Sequence, residues 1–156
     1  MKRILLLGGL ALVLPAAAMR LADMPAGRWH ADPDTAMRSG DPNDYLVGPG
    51  GDRPSLRVEQ APIELARMVD AVALAEPRTV RIAGRPEDGW TTYVQRSALM
   101  GFPDAISVKV VPDGAGARLS IWSRSRFGKG DMGVNRRRVE RWLAALRPGE
   151  GARGDG

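Results

Sequence analysis

ARLSIWSRSRFGKGDMGVNRRRVERWLAAL, residues 117–146, is the stretch whose reading decides the fold. Its first part alternates as a strand does, with Leu119, Ile121, Ser123 and Ser125 on one face and Ser120, Trp122, Arg124 and Arg126 on the other, because successive strand side chains point to opposite sides. Past Phe127 the glycines at 128, 130 and 133 end the strand, and Asp131 and Asn135 offer short polar side chains as caps for a following helix. In that helix Val139, Trp142, Leu143 and Leu146 recur at helical spacing and form an apolar stripe, while Arg136, Arg137, Arg138 and Arg141 fall mostly on other faces.

The same stretch carries the charge of the whole chain. Between residues 124 and 141 there are seven basic residues and two acids, and the 156-residue chain as a whole carries +5. The rest is balanced, so the basicity is a local patch that suits an anionic partner or water. The chain has no cysteine, which excludes disulfides, thiolate nucleophiles and thiolate metal sites. Its length suits one domain with extensions, and 19 glycines and 12 prolines predict much irregular structure.

Upstream, Pro62 starts a helix whose apolar face is Leu65, Met68, Val69 and Val72, and Pro77 ends it. Residues 78–83, 90–97 and 105–111 are rich in β-branched and aromatic residues and alternate, with turn chemistry between them. Together with the strand before Phe127 they predict an α+β domain over residues 61–147: helix, four-stranded antiparallel sheet, helix, with the helices on one face.

Ahead of it, residues 20–60 read as an irregular linker, with Tyr45, Leu46 and Val47 as a short strand or extended arm. The only histidine, His30, beside Trp29, is expected to be exposed or at headgroup level. Residues 1–19 begin Lys2-Arg3, continue as an apolar run and reach Ala16 and Ala18 in an A-x-A arrangement. This is the pattern of a signal peptide, cleaved or kept as a membrane anchor, and it places the chain on the periplasmic side of the cell envelope. Residues 148–156 are expected to be a disordered tail.

Two groups of residues carry candidate chemistry. Ser123, Arg124, Ser125, Arg126, Asp131, Asn135 and Arg138 crowd a strand-to-helix connection, which reads either as an anion site of helix-start N–H groups and arginine forks or as a rigid structural knot. Asp104 with Arg96 and Arg124 is a second candidate, an ion pair or a perturbed acid across neighbouring strands. No catalytic residue, metal or cofactor is expected from a chain with one isolated histidine. Nucleic acid is not an expected partner either, because the aromatic content is low and no recognition module is present.

Taken together, Arg96-Ser97, Gly101-Phe102-Pro103-Asp104, Ser123-Arg124-Ser125-Arg126, Gly128, Asp131-Met132-Gly133-Val134-Asn135 and Arg138 resemble the domain-of-unknown-function family 1499. The resemblance covers roughly residues 61–145 and implies an exported or membrane-attached protein, since many members look so. Many relatives carry a second aspartate where this chain has Ala105. The expected function is a non-catalytic binding or accessory module with a basic contact surface at the polar loop and the start of the last helix. Its partner would be an anionic lipid head group or a small anionic ligand. The rival expectation is an enzyme that uses acidic and arginine residues on an anionic substrate.

Overall fold

β-Branched and aromatic residues recur along the segments between Pro77 and Phe127, and in the computed structural model, which describes residues 19–38 and 40–146, these segments are extended. They form β3 (Thr79–Arg85), β4 (Trp90–Arg96), β5 (Pro103–Asp113) and β6 (Gly116–Ser125). Each pairs antiparallel with the next, as short connections require. Helix α2 (Pro62–Ala75) precedes them and α3 (Val134–Ala145) follows. Both lie on the same face of the sheet. Leu65 and Val69 of α2, and Val139, Trp142 and Leu143 of α3, pack there with Tyr93, Ile106, Val108, Leu119 and Ile121. Tyr93 meets Trp142 edge-on, with ring centroids 5.9 Å apart, a geometry that aromatic quadrupoles favour.

The expectation of a four-stranded sheet bracketed by helices is corrected: the sheet has six strands, although the α+β character holds broadly. Two short strands, β1 (Asp44–Val47) and β2 (Leu56–Val58), come from the segment read as an irregular linker. They lie end to end on the outer edge of β6, with Asp44 opposite Arg124 and Leu56 opposite Leu119. The edge of β6 would otherwise present unpaired N–H and C=O groups over an apolar core. Tyr45, Leu46 and Val47 satisfy both needs, and all three are buried. Flanking Pro42 and Gly48 limit β1 to four residues without preventing it. At the start of β6, a Cβ on Gly116 would stand 1.9 Å from the Val58 carbonyl oxygen, so only glycine lets β2 close in.

The opposite face of the sheet is covered by the chain's own N-terminal strap, residues 19–38. It contains a one-turn helix, α1 (Ala26–Trp29), whose Trp29 joins Met24, Val94 and Ala105 in a second, smaller apolar cluster. His30 is not exposed, one of the two placements expected for it: it is half-buried and stacks on Trp90 at 4.0 Å, and its Nδ1 lies 2.9 Å from Thr92 Oγ1. Asp32 pairs with Lys109, and Asp34 with Arg118 at 2.9 Å. The apolar run before Met19 and the tail from residue 147 lie outside the described residues. Among the described residues no helix is long and apolar enough to cross a membrane.

Candidate functional site

Strand alternation carries Ser123 and Ser125 to the helix-bearing face, where the first turn of α3 meets them. Ser123 Oγ donates to Asn135 Oδ1 at 2.6 Å and accepts from Arg138 Nη1 at 2.9 Å. Asn135, fully buried, donates from Nδ2 to Asn43 O, Ser125 Oγ and Asp131 Oδ2, all within 2.9 Å. Asp131 caps the helix: its carboxylate accepts from the backbone N–H groups of Gly133 at 2.8 Å and Asn135 at 2.7 Å. Those donors have no partner within the helix, so a carboxylate there also meets the favourable end of the macrodipole.

Arg138 is the hub. Its Nε donates to Gln95 Oε1 at 2.6 Å, Nη1 to Ser123 and to Asn135 Oδ1, and Nη2 to Asp104 Oδ2 at 2.7 Å. A buried guanidinium is tolerated only with this degree of satisfaction. Gln95 extends the network by donating to Glu76 Oε2 at 3.0 Å. Burial opposes ionisation of Glu76, yet hydrogen bonds from Gln95, Arg141 and Trp142 outweigh it and hold the carboxyl below its ordinary range.

Of the residues singled out from sequence, Ser123, Ser125, Asp131, Asn135, Arg138 and Asp104 are brought together. Arg124, Arg126 and Arg96 are not, because each sits at the other phase of its strand and points to the strap side. Arg124 lies over the Trp122 ring at 4.0 Å and donates to Trp29 O at 2.6 Å and Ser107 Oγ at 3.2 Å. Burial pushes its guanidinium down to about 10, with Asp44 opposing the shift. Arg126 stands 5.0 Å from the Phe127 ring centre and reaches Met24 Sδ at 3.9 Å. Arg96 donates to the carbonyls of Met19, Ala22 and Gly101. The expected meeting of Asp104 with Arg96 and Arg124 therefore does not form, and Arg138 takes that place.

Beside the network is a hollow of about 300 Å³ between the loops at 97–104 and 125–134. Asp104 and Asp131 line its interior, and Phe102, Phe127, Met132 and Val134 form its apolar wall. The two phenyl rings are 6.5 Å apart. Met132 is 90% exposed and has φ +53°, a left-handed backbone unusual for a non-glycine residue. Sequence reasoning missed this wall and the roles of Gln95 and Asn43. The available signal was the placement of Phe102, Phe127 and Met132 in otherwise polar loops, where large apolar groups mark contact sites.

A larger, open groove of about 860 Å³ runs along residues 47–57 and Leu143. Its arginines are already neutralised, Arg53 by Glu140, Arg57 by Asp113 and Arg118 by Asp34, so it offers no unpaired guanidinium. Among the described residues no cluster of His, Asp or Glu is arranged to hold a metal ion. In a comparison with protein-family models, residues 32–146 match a family described as "Protein of unknown function (DUF1499)". No curated protein matches the chain.

Proposed function

The chain belongs to the DUF1499 family, proteins of unknown function, and from the geometry around Asp104 we propose a non-catalytic binding or accessory module on the periplasmic side of the cell envelope. One observation carries the binding role: an apolar wall of Phe102, Phe127 and Met132 stands over a buried carboxylate in a hollow of ligand size. The envelope location is supported by the Lys2-Arg3 start and the apolar run after it.

The contact surface is the polar loop and the start of the last helix, and the hollow within it is lined by aspartates and apolar side chains rather than by arginines. Arg124 and Arg126 are turned to the other face and Arg138 is consumed by the Asp104 network, while the exposed Arg136 and Arg137 do not line the hollow. The walls and the two aspartates suit a small ligand with an apolar body and N–H or O–H donors, neutral or cationic. Ser123, the one buried hydroxyl beside Arg138, is held by Asn135 and Arg138 and is unsuited to nucleophilic attack. This arrangement favours binding over the rival reading of an enzyme acting on an anionic substrate through its acids and arginines.

Thermal melting with three probes tests the reading: octylammonium, octyl glucoside and octyl phosphate. The first two should raise the melting temperature, with stabilisation of about 2.7 kcal/mol at roughly a hundredfold excess over Kd, and Phe102→Ser should abolish the rise. Preferential stabilisation by octyl phosphate would restore the anion reading. Cell fractionation tests location, and full-length soluble protein recovered from cytosol would remove the envelope assignment.

A further inference from the structure

Arg20, Arg78 and Arg96 gather around a second hollow, of about 350 Å³, whose walls include Val80, Val94 and Ala98. Among the described residues none of the three is paired with a carboxylate. Arg20 Nη2 donates to Leu99 O at 2.8 Å, Arg78 Nε to Arg96 O at 3.0 Å, and Arg96 to the carbonyls of Met19, Ala22 and Gly101. Carbonyl oxygens orient a guanidinium but leave its charge uncancelled. By contrast, Arg38, Arg53, Arg81, Arg118 and Arg138 each meet an Asp or Glu.

The cluster is held in place by backbone features. Gly101 has φ +72°, and a Cβ there would stand 2.2 Å from Arg20 Cγ, so only glycine lets Arg20 cross. Arg78 itself adopts φ +58°, a conformation that costs energy in a non-glycine residue. Its carbonyl accepts from the Arg96 N–H at 3.1 Å, which ties the two arginines together.

Large apolar side chains surround these cations in the open. Leu21 is 82% exposed, Leu99 81% and Val80 56%. In sequence, Met19 is the last residue of the apolar run, and its carbonyl is bonded to Arg96. Uncancelled arginines among exposed leucines, directly after an apolar run, form a surface suited to the level of lipid head groups.

We propose that this hollow receives the phosphate of an anionic phospholipid, so that the domain lies against the bilayer with Leu21 and Leu99 at the interface. The proposal rests on the export reading of the N-terminal run. A soluble phosphate would satisfy the arginines but leave the valine walls and the two leucines uncovered, whereas a lipid covers both. Ser97 lines this hollow and the one beside Asp104. The ligand pocket therefore opens next to the membrane surface.

The chain contains no cysteine, so Ala98→Cys carries a single fluorophore at the hollow. The full chain is inserted by cell-free synthesis into phosphatidylcholine vesicles with or without phosphatidylglycerol, and quenching by brominated lipid reads docking. Quenching should require phosphatidylglycerol and weaken with salt. Arg20→Gln/Arg78→Gln should lower the docked-to-undocked ratio about thirty-fold, about five-fold per arginine, without changing the melting temperature. Arg20→Lys/Arg78→Lys, which keeps the charge, should retain most of the docking. Equal quenching in both vesicles, or none in a chain that floats with them, overturns the docking alone. Competition by inorganic phosphate beyond that of chloride at equal ionic strength assigns the site to a free anion and also overturns it. A chain that floats with neither vesicle overturns the docking and the anchored form of the export reading together.

Discussion

Arg138 on α3 and Asp104 on β5 meet at 2.7 Å, with side chains 4% and 12% exposed, the most buried ion pair among the described residues. Removing one partner leaves an uncompensated buried charge, so Asp104→Asn should destabilise the protein by about 3–5 kcal/mol in urea unfolding. The Asp104→Leu/Arg138→Met double variant should lose less than the sum of its single changes, with a coupling of about 2 kcal/mol. Additive losses would show that the pair acts only as two separate packing groups.

Asp131 accepts two backbone N–H groups at the start of α3. Asp131→Ala should therefore cost about 1–2 kcal/mol, as for other N-terminal caps, measured by thermal or urea unfolding. An unchanged stability would mean that water replaces the carboxylate without loss.

His30 is held below its ordinary value of 6.5 by burial against Trp90, with Asp32 opposing the shift. A depressed histidine pKa makes the neutral ring the folded form, so its contribution to stability is present above 6.5 and is lost as pH falls from there through the folded value. Asp34 and Glu76 are also held low, because hydrogen bonds to arginine and other donors outweigh their burial. Their loss comes only below their ordinary values of 3.8 and 4.5. Stability should fall in two steps on acidification, and His30→Phe, which keeps a ring on Trp90, should remove the first. A first step that survives in His30→Phe assigns it to another group.

Arg124 holds the N-terminal strap by its hydrogen bond to Trp29 O and its position 5.5 Å from the Trp29 ring centre. Arg124→Met should loosen residues 19–38 more than the sheet, and trypsin should then cut after Arg28 well before the remainder unfolds. Cleavage at Arg28 that keeps pace with global unfolding would show that the strap and sheet open as one unit.

The alternation in residues 117–126 placed Ser123 and Ser125 on one side and Arg124 and Arg126 on the other, and the structure keeps that division. What a strand's own period lacks is register. Asp104 lies opposite Ser125 and Gln95, and until those pairings are known nothing says that its face differs from that of Arg96 and Arg124. β1 was legible as a short strand or extended arm at Tyr45 to Val47 but not its place in the sheet, and β2 was not legible at all. They are four and three residues long between proline and glycine breakers, too short for periodicity, and their formation depends on the edge of β6. The apolar wall at Phe102 and Met132 escaped because burial patterns identify cores, whereas these residues are partly or largely exposed.

The placement of β1 and β2 on β6 also sets the order in which a nascent chain can fold. Asp44 pairs with Arg124, and Val58 with Ala117, so residues made early must wait for a partner made much later. Such distant pairings slow folding. A polypeptide released from the ribosome or a translocation channel N-terminus first cannot close its sheet until β6 has emerged. For a chain exported unfolded, that delay keeps the moving segment threadable and assigns sheet closure to the far side of the membrane.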